Sequence, residues 1–94
     1  MDAVIMVGNS NGALGGREWA SLVAEVRDLL TTHYPAVVVH AEWQSRADSP
    51  LANVAWRVEL VSMGVLREQL GAVAARYRQP SVAWLQGVIE SVPG

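Results

Sequence analysis

The chain has 94 residues, 51% of them hydrophobic and 17% charged, with a net charge of −2 and a pI near 5.5. All seven basic residues are Arg and they are scattered, so the basic stripe expected of a nucleic-acid binder is missing. The absence of cysteine excludes disulfides, thiolate nucleophiles and Cys-bearing zinc sites. No apolar run approaches the ~18 residues needed to cross a bilayer, and the first residues lack the basic and apolar regions of a secretion signal. These features predict one cytoplasmic domain with no membrane or nucleic-acid partner. The charged fraction is low against a typical ~25%, and the apolar content exceeds what one small core needs. A second copy or a protein partner is expected to cover the surplus.

Ala3 to Val7 is a short apolar run that reads as a strand buried on both faces. Residues 9–16 follow as a Gly- and Asn-rich loop. Arg17 to His33 reads as a helix, with Trp19, Leu22, Val23, Val26, Leu29 and Leu30 at steps of three and four. Tyr34-Pro35 stops it, and His33 falls where a helix end favours positive charge.

Val37 to Ser45 alternates, with Val37, Val39, Ala41 and Trp43 on one face and Val38, His40, Glu42 and Gln44 on the other. Asn53 to Val61 alternates as well, Val54, Trp56, Val58 and Leu60 opposing Ala55, Arg57 and Glu59. Both read as half-buried antiparallel strands joined by the polar loop 46–51. Apolar partners meet when Val39 faces Val58, Ala41 faces Trp56 and Trp43 faces Val54; His40 then faces Arg57, and Val38 faces Glu59. Ser62 is a suitable N-cap for a second helix from Met63 to about Arg78, striped by Met63, Leu66, Leu70, Val73, Ala74 and Tyr77. Gln79-Pro80 ends it, and Ser81 to Ile89 reads as a last strand with a bend at Gly87.

The order β-α-β-β-α-β predicts an α+β fold of ferredoxin-like type, a four-stranded antiparallel sheet in order 4-1-3-2 with both helices on one face. The other face is open. It is expected to carry His40, Glu42, Gln44, Ala55, Arg57 and Glu59 beside apolar residues of the outer strands, with Leu85 or Trp84 among them. Either a partner covers this patch or the C-terminal tail does.

Two places have the composition for chemistry. Gly12, Gly15, Gly16 and Arg17 stand between a strand and a helix, where backbone N–H groups and an arginine favour an anion. Neither the P-loop pattern nor G-x-G-x-x-G is present, and an ordinary flexible connection is the better account of the glycines. Small acylphosphatases share the element order and bind phosphate in this loop, but their G-x-V-Q-G-V-x-[FY]-R pattern is absent here. His40, Glu42, Arg57 and Glu59 form the second place, a charged cluster that could move a proton or supply two or three metal ligands, although a plain solvated face with cross-strand ion pairs is the better account. RNA-recognition motifs have the same order with aromatics on their central strands; the first strand here has none. No metal site or cofactor is expected. The function these readings predict is a small non-catalytic interaction or regulatory module, a class that includes virus-encoded inhibitors such as anti-CRISPR proteins. A small enzyme or anion-binding domain built on the Gly-rich loop is the alternative.

Overall fold

A computed structural model describes residues 1–9, 11–33, 36–46, 49, 52–62 and 64–94. Ser10, Tyr34, Pro35, most of the expected 46–51 loop (Ala47, Asp48, Pro50, Leu51) and Met63 lie outside the described residues. The elements run β1 (Asp2–Gly8), α1 (Gly16–Thr32), β2 (Val38–Gln44), β3 (Asn53–Glu59), α2 (Gly64–Arg76) and β4 (Ala83–Gly87). The strands form one antiparallel sheet in the order β2-β3-β1-β4. This is the expected α+β architecture, and the strand order is consistent with a ferredoxin-like βαββαβ fold.

The core lies between the sheet and the two helices. Ala3, Ile5 and Val7 of β1 and Val54, Trp56 and Val58 of β3 are buried against Leu22, Val23, Val26 and Leu30 of α1 and Leu66, Leu70 and Val73 of α2. Trp19, Leu29, Tyr77, Val82 and Trp84 are partly buried around them. Burial of these side chains, at roughly 1.5–3 kcal/mol each, holds the layers together. Exposed Arg76–Glu25 and Arg78–Glu18 ion pairs, 3.1 and 2.6 Å long, contribute a few tenths of a kcal/mol each, to within about 1. The Cα envelope is only 19 Å deep along its shortest axis. That depth fits one sheet layer and one helix layer, and among the described residues nothing packs on the other side of the sheet.

Two expectations about strands are corrected. β1 is not buried on both faces: Val4 is half-buried and Met6 exposed, because the helices cover one side only. β4 is also shorter than the expected 81–89: it runs Ala83–Gly87 and pairs with β1 from Asp2 to Met6.

The larger correction concerns β2. Val38 and Val39 do pair with Glu59 and Val58, but the register then shifts across His40. Beyond this bulge Ala41 faces Arg57, Glu42 faces Trp56, Trp43 faces Ala55 and Gln44 faces Val54. One extra residue exchanges the two faces of a strand. Glu42 and Gln44 therefore turn to the helix side, and Trp43 turns out to the open face. The expected core position of Trp43 is reversed, and Glu42, still solvent-accessible, lies on the helix side instead of the open face.

The reason lies in what Glu42 finds on the helix side. Arg27 of α1 donates from Nε and Nη2 to its two carboxylate oxygens, at 2.8 and 2.9 Å. Gln44 Nε2 donates to Oε2 at 2.8 Å, and the indole Nε1 of buried Trp56 donates to Oε1. A buried indole N–H needs an acceptor, and the bulge supplies a charged one.

Candidate functional site

The open face reads as three rows across the sheet. Trp43, Ala55, Met6 and Ala83 form the first; Ala41, Arg57, Val4 and Leu85 the second; Val38, Glu59, Asp2 and Gly87 the third. Leu85 is 71% exposed, Trp43 55%, Val38 51% and Met6 44%. The first row is apolar throughout, and the second is apolar except at Arg57. The chain after β4 does not cover the patch: Val88 and Val92 are themselves exposed, and Leu85 stays open.

Arg57 sits on a central strand between Ala41 and Val4. Its Nε is shielded from solvent and has no hydrogen-bond partner among the described residues. A guanidinium N–H without an acceptor in a shielded place is costly. Glu59, two residues along on the same face, is instead 3.4 Å from His40 Nε2, and both side chains are exposed. This His–carboxylate contact is the remnant of the expected four-residue cluster: Glu42 has left for the helix side, and no hydrogen bond or ion pair joins Arg57 to His40 or Glu59. Among the described residues there is no group of three or more side chains suited to a metal ion.

Of the other expected interaction residues, Leu85 lies on the open face as one of the two alternatives foreseen. Trp84 takes the helix side, where its ring lies 5.8 Å from the Arg67 guanidinium. Its Nε1 is buried with no hydrogen-bond partner among the described residues.

The Gly-rich loop is built differently from a phosphate cradle. Asn9, buried at the end of β1, clamps Leu14 from both sides: its Nδ2 donates to the Leu14 carbonyl at 2.9 Å and its Oδ1 accepts the Leu14 N–H at 3.1 Å. Gly12, at φ +66, closes the turn by donating to the Asn9 carbonyl, and Ala13 donates to Asn11 Oδ1. The amides of Gly12, Ala13 and Leu14 thus have internal acceptors. Gly15 precedes α1 without a side-chain cap, and Gly16 and Arg17 open the helix, exposed.

This loop is tied to the end of α2. Asn11 Nδ2 donates to the Arg78 carbonyl, and Arg78 Nη2 reaches the Ala13 carbonyl and Glu18. Arg78 itself has φ +58, with Gln79 and Arg78 N–H groups donating back to Ala74 and Ala75. That is the hydrogen-bond pattern of a helix end normally given to glycine, and a non-glycine residue there costs about 1–2 kcal/mol. The contacts of Arg78 with the loop offset this cost. Asn9→Ala is expected to lose about 1–3 kcal/mol, because the Leu14 amide and carbonyl lose their partner in a buried place. Urea unfolding measures it; an unchanged midpoint would show that the loop is not held this way.

The Asn9–Leu14 clamp and the Arg78 turn were not among the expected sites. Two asparagines separated by one residue beside Gly12 were their only mark in the sequence.

Comparison of the chain with family models, with curated proteins and with solved structures finds no match. No helix among the described residues is long and apolar enough to cross a membrane.

Proposed function

We propose that this chain is a small non-catalytic interaction module that binds protein through the open face of its sheet. The observation that carries the reading is the continuous patch of Trp43, Met6, Val4 and Leu85 around Arg57. A face of this kind has the composition of an interface centre, with an aromatic, a methionine and an arginine among apolar neighbours. Exposed patches of this type on small proteins mark contact sites. A groove of about 460 Å³ adjoins the same face at the far end of β1 and β4, where Met6, Gly8, Asn53, Ser81 and Ala83 line it, and extends the contact surface.

A photo-crosslinking residue placed at Trp43 in living cells tests the reading, with the same residue at exposed Ala24 on α1 as control. A discrete protein adduct from position 43 and none from position 24 is the expected result. No adduct from position 43, or equal adducts from both, would sink it.

A further inference from the structure

We infer that the free edge of β4 pairs with β4 of a second copy of the chain, antiparallel about Gly87, so that the segment after β4 in each copy lies as a strand against β4 of the other. The inference concerns the rim of the sheet, not its open face, and stands independently of the reading above.

The two rims differ. β2 and β4 are the outer strands, each paired on one side only. An outer strand presents a row of backbone N–H and C=O groups to any strand that approaches, unless a bulge or charged side chains turn it away. β2 has both protections, the bulge at His40 and the charged residues His40 and Glu42. β4 has neither. Its register with β1 is unbroken, and no charged residue stands from Ala83 to Ile89.

The chain after β4 supplies the second half. Val88 and Ile89 are strand-forming residues, yet they belong to no strand, and Val88 is 90% exposed. A twofold axis perpendicular to the sheet at Gly87 sets Gln86 opposite Val88 of the other copy, Leu85 opposite Ile89, Trp84 opposite Glu90 and Ala83 opposite Ser91. Opposed residues share a face, with Cβ atoms roughly 5 Å apart, so Ile89 covers the exposed Leu85. The axis falls on a glycine with open space beside it.

Charge selects this register. The Arg67 guanidinium lies 5.8 Å from the Trp84 ring on the helix side. Arg67 and Glu90 are both exposed, and neither takes part in an ion pair among the described residues. With Glu90 opposite Trp84, its carboxylate comes beside that guanidinium, once in each half of the dimer. The nearest register that keeps the same faces together, with the axis at Leu85, sets Gln86 opposite Trp84 and leaves Arg67 without a carboxylate. A strand of different sequence would have to bring an acidic residue to that one position. The chain's own tail carries it, and the twofold satisfies both copies at once.

One strand pair is a small contact, so the dimer is expected to be weak and to dissociate on dilution in roughly the micromolar range. Sedimentation over a dilution series tests it, with circular dichroism checking each fold. The samples are the wild type, Arg67→Glu, Glu90→Arg, an equimolar mixture of these two variants, and the double variant Val88→Pro/Ile89→Pro. Each charge variant alone sets like charges together twice, and its self-association is expected to fall about three- to tenfold. In the mixture both contacts join opposite charges, and association is expected to return to near the wild-type level. Of two adjacent strand residues one N–H faces the partner, and proline has none, so the double variant is expected to lose association while keeping its own sheet, which ends at Gly87.

A wild type that stays monomeric throughout overturns the inference, as does a mixture no stronger than its components. Association that the proline pair or the charge variants leave unchanged runs through another surface; it overturns the inference and leaves the open-face reading untouched.

Discussion

Replacing Trp56 with alanine is expected to remove about 3–5 kcal/mol of stability, the largest single loss in the molecule. The ring is fully buried at the centre of β3, between the strands and both helices. A domain of this kind has about 5–15 kcal/mol in total, so the variant should be close to unfolding at ordinary temperature. The melting temperature should fall by on the order of 20 °C, at roughly 4–8 °C per kcal/mol for a chain of this length. A fall of less than about 5 °C would mean that Trp56 is not the keystone of the core. The loss has two parts, a cavity and the removal of the donor that holds Glu42 under α1.

The second large effect is at Glu42 itself. Glu42→Ala is expected to cost about 1–3 kcal/mol, because the buried Trp56 indole N–H then has no acceptor. Glu42→Gln keeps an acceptor oxygen for the indole. It forfeits the charge-assisted pair with Arg27, so it should still destabilise, though less than Glu42→Ala does. The two variants therefore separate the hydrogen bond from the charge.

Protonation gives a third handle. The hydrogen bonds from Arg27 first, then those from Gln44 and Trp56, hold the Glu42 carboxyl at about 2 instead of 4.5, against the opposing effect of burial. The folded form thus binds this proton less readily than the unfolded chain does. Its stabilisation is fully present above about pH 4.5 and is lost as pH falls through about 2. Urea midpoints should decline over that window in the wild type, and the part due to Glu42 should vanish in Glu42→Gln. A decline of equal size in both would place the acid sensitivity elsewhere.

Much of the architecture was legible. The steps of three and four in α1 marked Leu22, Val23, Val26 and Leu30, and all four are buried. The alternation in β3 placed Val54, Trp56 and Val58 inward and Arg57 and Glu59 outward, as they are found. Element order and the handedness of crossovers then led to the strand order.

What escaped was the bulge at His40, and the reason is physical. Up to Val39 and Val58 the regular and bulged registers are identical. Past that point period-two alternation prefers Trp43 inside and Glu42 outside. The choice goes the other way because Arg27, on a different element, offers a bidentate partner, and Trp56 offers a buried donor. Neither requirement belongs to the strand whose register it decides, so no reading of β2 alone finds it. The same holds for the open face. Its apolar character depends on Trp43 arriving there and Glu42 leaving, and the expected charged cluster dissolved for that reason. The Gly-rich loop presents the converse case. Its composition suggested a cradle of free amides, whereas Asn9 and Asn11 occupy those of Leu14 and Ala13.

The central claim is that the sheet face bearing Trp43 and Arg57 is the surface through which this protein makes contact. Two-dimensional NMR of uniformly labelled protein across a concentration series tests it at each residue. The Trp43 indole and the amides of Val4, Met6, Ala55, Arg57 and Leu85 are predicted to shift as concentration rises, with the outer face of α1 around Ala24 and Arg27 unmoved. Shifts confined to the helices, with the sheet face unmoved, would contradict the account.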